Sequence, residues 1–146
     1  MAPQILRIGA DRTTLGAGAF SIGWSSIARD FRRDQPSPLE LENGIAAIED
    51  EIARARSSID ADPVVATEEE TIRDIARAAG IAPGDEMVLT IDAVERTFER
   101  LTRPPGLSAD HRFAATLVIL RELMHHLQIA SITWSLRRSG SPPRAN

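Results

Sequence analysis

The longest helix that the sequence predicts is apolar almost all round. We expect it to begin at Ser108 as the N-cap, and its residues 114–120 read AATLVIL. A helix without a polar stripe has no face to present to water, so other elements must surround it. A chain of 146 residues is long enough to form one domain with such a helix at the centre of its core.

Short apolar segments in the rest of the chain indicate strands. Residues 5–8 form one, and the alternation of Phe20, Ile22 and Trp24 with small residues predicts a second. Residues 63–67 and 129–134 predict two more. The N-terminal third therefore consists mainly of strands.

Helices separate the later strands. Ser37, Pro38 and Glu40 form a strong helix start, with serine as N-cap, proline at the first helical position and glutamate three residues after the cap. A further helix is expected over residues 68–79 and another over 90–101. Strands first, then strands alternating with helices, predict an α/β domain with a mixed sheet flanked by helices. We expect this single domain to span residues 1–136, and residues 137–146 to form a disordered tail.

Composition excludes several classes of function. The chain has no cysteine, which excludes disulfides and thiolate chemistry and fits a cytoplasmic protein. Every one of its 17 basic residues is arginine, its net charge is −4 and its aromatic content is 4%, so nucleic-acid binding is not expected. No run of about 18 apolar residues and no basic leader is present, which predicts neither a membrane span nor a signal peptide.

Three consecutive carboxylates, Glu68, Glu69 and Glu70, follow the predicted strand at residues 63–67. A strand-to-helix turn of this kind is where many folds hold a phosphate, because free backbone N–H groups point out of it. Three negative side chains repel a phosphate. Our interpretation is structural: Thr67 and Glu70 would form a capping box, with a metal or acid–base role for the triplet as the alternative.

Glu122 and His125 have the E-x-x-H spacing that places two metal ligands on one helical face. Such centres require a second copy of the motif, and this chain has one copy; His126 is expected to point elsewhere. We therefore predict no metal centre.

The order of the elements resembles the second half of the exopolyphosphatase/guanosine pentaphosphatase (Ppx/GppA) family. Gly106, Leu107 and Arg112, followed by the long apolar helix and a final strand, are similar to that family's GL-x-x-x-R-A segment and closing strand. The resemblance spans roughly residues 5–140. It implies a ribonuclease H-like subdomain of the actin, Hsp70 and sugar kinase superfamily.

The phosphate loops of this family depart from its pattern here. The first loop, D-x-G-G-G-S-x-E, corresponds to residues 7–14, where Gly9 and Thr13 remain and Arg12 could still contact an anion. The second, G-x-S/G-G-T, corresponds to residues 67–71, where Thr71 remains and every glycine is absent. The resemblance thus implies a degenerate phosphate site of Gly9, Arg12, Thr13 and Thr71.

The resemblance also implies what the chain lacks. The family's other half carries the glutamate that activates water, and it has no counterpart in 146 residues. We therefore expect no catalytic residue and no cofactor, and a role in binding, through a homodimer or a protein partner that covers the face of the missing half. The alternative is a subunit of an exopolyphosphatase or guanosine polyphosphate phosphohydrolase, completed by a partner half or a dimer, which would use magnesium.

Overall fold

A six-stranded mixed sheet forms the framework of the protein. The computed structural model describes residues 2–33, 35–59, 63–103 and 110–136. The strands lie side by side in the order β3-β2-β1-β4-β6-β5. Their bounds are β1 Gln4–Ile8, β2 Thr13–Leu15, β3 Gly18–Phe20, β4 Val65–Thr67, β5 Glu86–Thr90 and β6 Ser131–Ser135.

Within these ranges, five α-helices and one short 3-10 turn connect the strands. Their bounds are α1 Trp24–Ala28, α2 Pro38–Ala55, the 3-10 turn Arg56–Ser58, α3 Glu70–Ala78, α4 Ile91–Thr102 and α5 His111–His126. Helix α5 contacts the other four helices, and its residues 114–120 are all buried. The predicted central helix is therefore confirmed, and it lies where an all-round apolar helix must lie.

The sheet combines parallel and antiparallel pairs. Strands β1 and β4 are parallel, as are β4 and β6, whereas β2, β3 and β5 join by antiparallel pairing. Both crossovers, from the β1–β3 unit to β4 and from β4 to β6, advance across the sheet in the same direction. Right-handed crossovers then place their helices on the same face. The predicted α/β class with a mixed sheet is confirmed.

Burial alternates along every strand in agreement with this arrangement. The side chains beneath the helices are buried, and the registers of neighbouring strands bring them to one face of the sheet. They are Leu6, Ile8, Thr13, Leu15, Phe20, Val65, Thr67, Met87, Leu89, Ile132 and Trp134. The opposite face, which we call the open face, carries exposed or half-buried side chains and no helix among the described residues.

The start of α2 follows its sequence signal, and two other predicted boundaries do not. Ser37 accepts a hydrogen bond from the Glu40 N–H, and the Glu40 carboxylate accepts one from the Ser37 N–H, so the capping box is present. The strand expected to reach Trp24 ends at Phe20, because Trp24 opens α1. The side chain of Asp110, rather than Ser108, caps α5 by accepting from the Phe113 N–H.

Two sequence expectations fall on other parts of the chain. Ser108, the predicted helix cap, lies outside the described residues. Residues 137–146, the predicted tail, lie outside them as well, so the domain limits stay predictions. Within the described ranges, no helix is both long enough and apolar enough to cross a bilayer.

Candidate functional site

A cleft of about 290 Å³ lies at the carboxyl ends of the three parallel strands. The end of β1, the turn after β4 and the end of β6 form its floor, and the first turns of α3 and α5 close it. It is lined by Arg7, Glu68, Glu69, Glu70, Arg73, Arg112, Trp134 and Leu136. Open α/β sheets bind ligands at this edge, where the strand ends leave a crevice.

The turn between β4 and α3 is held by Thr67. This side chain is buried, its hydroxyl donates to the Leu6 carbonyl at 3.0 Å, and its oxygen accepts from the Glu69 N–H at 3.2 Å. Glu69 is the N-cap residue of α3 and makes no side-chain cap. The predicted capping box of Thr67 and Glu70 is therefore wrong, because the Thr67 hydroxyl donates to the neighbouring strand and Thr67 lies two residues before the N-cap position, Glu69.

Glu69 is the half-buried carboxylate of the triplet, whereas Glu68 and Glu70 are exposed. Burial raises the pKa of the Glu69 carboxyl, and the positive charges of Arg112 and Arg7 oppose that rise. The half-buried carboxylate of the triplet therefore interacts with Arg7 and Arg112, two of the three arginines that line the cleft. An anionic ligand has to compete with these carboxylates for the same guanidinium groups.

One wall of the cleft, formed by Arg73 and Trp134, presents hydrogen-bond donors. The Nε of Arg73 and the indole N–H of Trp134 are buried and have no hydrogen-bond partner within the described parts of the chain. The Arg73 guanidinium lies 5.8 Å from the centre of the Trp134 ring. Unpaired buried donors favour a ligand or a water with acceptor atoms at this wall.

The turn at residues 9–12, part of the first predicted phosphate loop, makes internal backbone hydrogen bonds. The Gly9 N–H donates to the Arg12 carbonyl at 2.8 Å. The carbonyls of Gly9 and Ala10 accept from the first amides of α1, those of Trp24 and Ser25, at 3.0 and 2.8 Å. The carbonyl groups of the turn, not its amides, therefore face the helix N-terminus.

The other predicted phosphate residues lie apart from the cleft lining. Thr13 is buried, and its hydroxyl donates to the Ile22 carbonyl at 2.8 Å. Arg12 is exposed, and Thr71 is half-buried on the first turn of α3. None of Gly9, Arg12, Thr13 and Thr71 is among the residues that line the cleft. Phosphate binding by these four residues stays a prediction.

The sequence does not mark Arg73, Arg112 or Trp134 as site residues. Arg73 lies on α3, three residues after Glu70, so the helix itself places it near the carboxylates. Arg112 and Trp134 belong to α5 and β6, and only the parallel alignment of β4 with β6, together with the position of α5 over the sheet, brings them to the same edge.

A second polar cluster joins α2 to α5. Glu122 is buried, with one carboxylate oxygen 2.7 Å from the Arg121 guanidinium and the other 3.3 Å from the His126 imidazole. Glu49 lies 3.2 Å from the same imidazole. The side chain that faces Glu122 is therefore His126 rather than His125, because residues four apart on this helix meet here and His125 pairs with Glu95 at 2.8 Å.

The chemistry of this cluster is that of a carboxylate pair around an imidazole. Burial raises the pKa of the Glu122 carboxyl, and so does the neighbouring Glu49 carboxyl, against the charges of Arg121 and His126. The potential ligand atoms of Glu49, Glu122 and His126 lie within 4.8 Å of one another, so these residues could hold a metal ion. The hydrogen bond between Glu49 and His126 and the ion pair between Glu122 and Arg121 account for the positions of these side chains without a metal ion.

Comparison with known proteins rests on solved structures. No protein-family model and no curated protein matches the chain. The Ppx/GppA enzyme of Aquifex aeolicus matches 91% of this chain and 52% of its own, with a TM-score of 0.67 and 15% identity. An exopolyphosphatase-like protein matches 92% of this chain and 55% of its own, with a TM-score of 0.71 and 16% identity. An exopolyphosphatase of Cytophaga hutchinsonii matches 92% of this chain and 53% of its own, with a TM-score of 0.64 and 13% identity.

These matches concern the fold. The chain spans about half the length of the structures that it matches. At such identities a shared function does not follow from a shared fold. The chain has the ribonuclease H-like fold of the Ppx/GppA structures, and the resemblance predicted from its sequence is confirmed at that level.

Proposed function

We propose that this protein is a catalytically degenerate Ppx/GppA-like domain that acts as a binding or oligomerisation module. The observation that carries the proposal is the turn after β4. There Glu68, Glu69 and Glu70 line the edge of the sheet at which a phosphate would approach. Phosphoryl transfer depends on donors and metal ions that neutralise the charge of the transferred group, and three carboxylates act in the opposite sense.

The backbone of both loops supports the same conclusion. An anion cradle needs free amides, but the Glu69 N–H donates to Thr67 and the Gly9 N–H donates to the Arg12 carbonyl. A side chain at Gly9 would also meet the Arg12 carbonyl at 3.0 Å. The glycine that remains in the first loop therefore serves a tight turn.

Exposed apolar side chains on one face of the sheet support a role in association. Ile5 of β1 and Val88 of β5 are both exposed there, and exposed apolar surface of this kind favours contact with another protein. The partner is a second copy of this chain or another protein in the cytoplasm, not a nucleic acid or a membrane. The proposed role requires no cofactor.

The test measures phosphate release and anion binding. The purified chain is incubated with Mg²⁺ and either polyphosphate or guanosine pentaphosphate, and triphosphate binding is measured by calorimetry. We expect no phosphate release, and no binding tighter than a Kd of about 1 mM. The variant with Glu68, Glu69 and Glu70 all changed to Gln should gain triphosphate binding, because the positive charges of Arg7, Arg73 and Arg112 in the cleft then lose three negative neighbours.

A matched control changes exposed glutamates elsewhere, Glu42 and Glu99, to Gln. This variant removes negative charge without altering the cleft and should bind no better than the wild type. Phosphate release by the wild-type chain would overturn the proposal.

The second candidate, a hydrolase subunit, is favoured by the unpaired donors of Arg73 and Trp134. It predicts that the wild-type chain binds triphosphate, and that Arg73→Gln weakens this binding. It also predicts magnesium-dependent phosphate release once a partner half or a second copy completes the cleft.

A further inference from the structure

The open face of the sheet is unusual for a sheet with this much parallel pairing. Sheets that are entirely parallel are almost always covered on both faces, and strands paired on both sides by parallel neighbours are rarely open to water. Here β1, β4 and β6 are mutually parallel, and within the described residues the helices cover only one face. On the other face Ile5 of β1 is 38% exposed and Val88 of β5 is 46% exposed.

The strand registers arrange the open face in rows. Ile5 is opposite Ala66, Ala66 is opposite Thr133, and Thr133 is opposite Val88. These four side chains form one apolar row across β1, β4, β6 and β5, with only the Thr133 hydroxyl polar. We call it the central row.

A charged row runs beside the central row on the side of the cleft. Side chains of a strand return to the same face every second residue, so Arg7 lies next to Ile5 and Glu86 lies next to Val88. Glu68 and Ser135 come between them, on β4 and β6. Arg7 and Glu86 are both exposed, at opposite ends of this row.

The geometry points to a second copy of this chain as the occupant of the open face, an inference that rests on the proposed oligomerisation role. A two-fold axis parallel to the strands, passing between β4 and β6, exchanges β4 with β6 and β1 with β5. It places Ile5 opposite Val88 of the second copy and Arg7 opposite Glu86 of the second copy. Two sheets pack in this way about 10 Å apart, and the interface is self-complementary as two-fold symmetry requires.

The positions of the charged residues favour this axis over a two-fold axis that lies in the same plane but runs perpendicular to the strands. An axis perpendicular to the strands would place Arg7 and Glu86 over the uncharged row of Val64, Ser131 and Thr90 on the far side of the central row. With the parallel axis, both ion pairs form and Glu68 faces Ser135. The chain's own residues 137–146 are a poor match for the central row, because they contain three arginines and a single aliphatic side chain, Ala145.

Sedimentation equilibrium of the full chain tests the inference through charge reversal. The wild type should be a dimer. Arg7→Glu and Glu86→Arg should each weaken the dimer at least about tenfold in Kd, because like charges then face each other twice by symmetry. The double variant R7E/E86R restores opposite charges and should recover most of the affinity, which a loss of local structure could not produce.

Two further variants keep the test independent of folding defects. Glu42→Arg reverses an exposed charge on α2 and should leave the dimer unchanged. Val88→Lys, on an edge strand that tolerates lysine, should give a folded monomer by circular dichroism. A wild-type monomer at about 100 µM, or a dimer that no reversal weakens, overturns the inference.

Failure of this inference and failure of the proposed function give different results. A monomer that neither releases nor binds phosphate rejects the second copy and leaves another protein as the partner. Phosphate release by the wild type rejects the degenerate role whatever its oligomeric state.

Discussion

Glu122 is the only charged residue that is buried in the part of the chain that the structure describes. It lies on α5, beyond the apolar stretch that places this helix in the core. Its carboxyl is enclosed by Arg121, Glu49 and His126, which differ in their effect on its proton affinity. The helix period determines this neighbourhood, because position 126 lies one turn from position 122 on the side of α2.

Replacement of Glu122 by Gln should favour the variant over the wild type increasingly as the pH rises. Burial raises the pKa of Glu122 above its ordinary value of 4.5, so the folded state binds this proton more tightly than the unfolded state. The associated stability is present below pH 4.5 and is lost as the pH rises through the folded-state pKa. Glutamine keeps a neutral side chain throughout that window.

Urea unfolding at pH 4 and pH 7.5 checks this expectation. The difference in unfolding free energy, variant minus wild type, should be larger at pH 7.5. Glu42→Gln, exposed on α2, should show no such change. A difference for Glu122→Gln that falls as the pH rises would contradict the raised pKa.

At the scale of elements, the hairpin of β1 and β2 and the helix α1 meet at Gly23. A Cβ there would clash with the Gly9 carbonyl and would lie 2.5 Å from the Ala10 carbonyl oxygen. These are the carbonyls that accept from the first amides of α1. Gly23 therefore permits the contact that keeps the amides of α1 away from an external anion.

Gly23→Ala should lower the unfolding free energy by about 3 kcal/mol or more, because rigid backbone surrounds the added methyl group. Gly84→Ala is the matched control: its Cβ would meet the Glu86 carbonyl at 3.7 Å, an ordinary contact. Its effect should stay within about 0.5 kcal/mol. Urea denaturation measures both, and equal losses in the two variants would show that the contact at Gly23 does not limit the fold.

At the scale of the whole molecule, the described residues share one hydrophobic core. Helix α5 packs against the other four helices, and the cluster of buried side chains runs from Leu6 to Trp134. Trp24 packs against this cluster at α1, and Trp134 belongs to it at β6. The two tryptophans therefore report on opposite parts of the chain within a single packed unit.

A single core predicts a single unfolding transition. Trp24→Phe leaves Trp134 as the only tryptophan, and Trp134→Phe leaves Trp24 as the only tryptophan. In each variant the urea midpoint by fluorescence should coincide with that by far-UV circular dichroism, at one protein concentration. Separate midpoints would indicate two units and would contradict a single domain over residues 1–136.

Much of the fold could be predicted from the sequence because its signals are local. The capping box at Ser37 and the apolar stretch of α5 each depend on neighbours along one helix. The prediction that a strand reaches Trp24 was wrong, because alternation over so few residues also fits a strand that ends and is followed by a helix. The capping box at Thr67 was wrong because its hydroxyl hydrogen-bonds to the Leu6 carbonyl, 61 residues away in the chain.

The sequence by itself determined that this chain forms an α/β domain around α5, and that three carboxylates follow β4. Periodicity and helix caps carry that information because they act over a few residues. Only the tertiary structure decided that Arg7, Arg112 and Trp134 face those carboxylates, and that one face of the sheet stays open. Both depend on which strands are neighbours and in which direction they run, and these are properties of contacts between residues far apart in the chain.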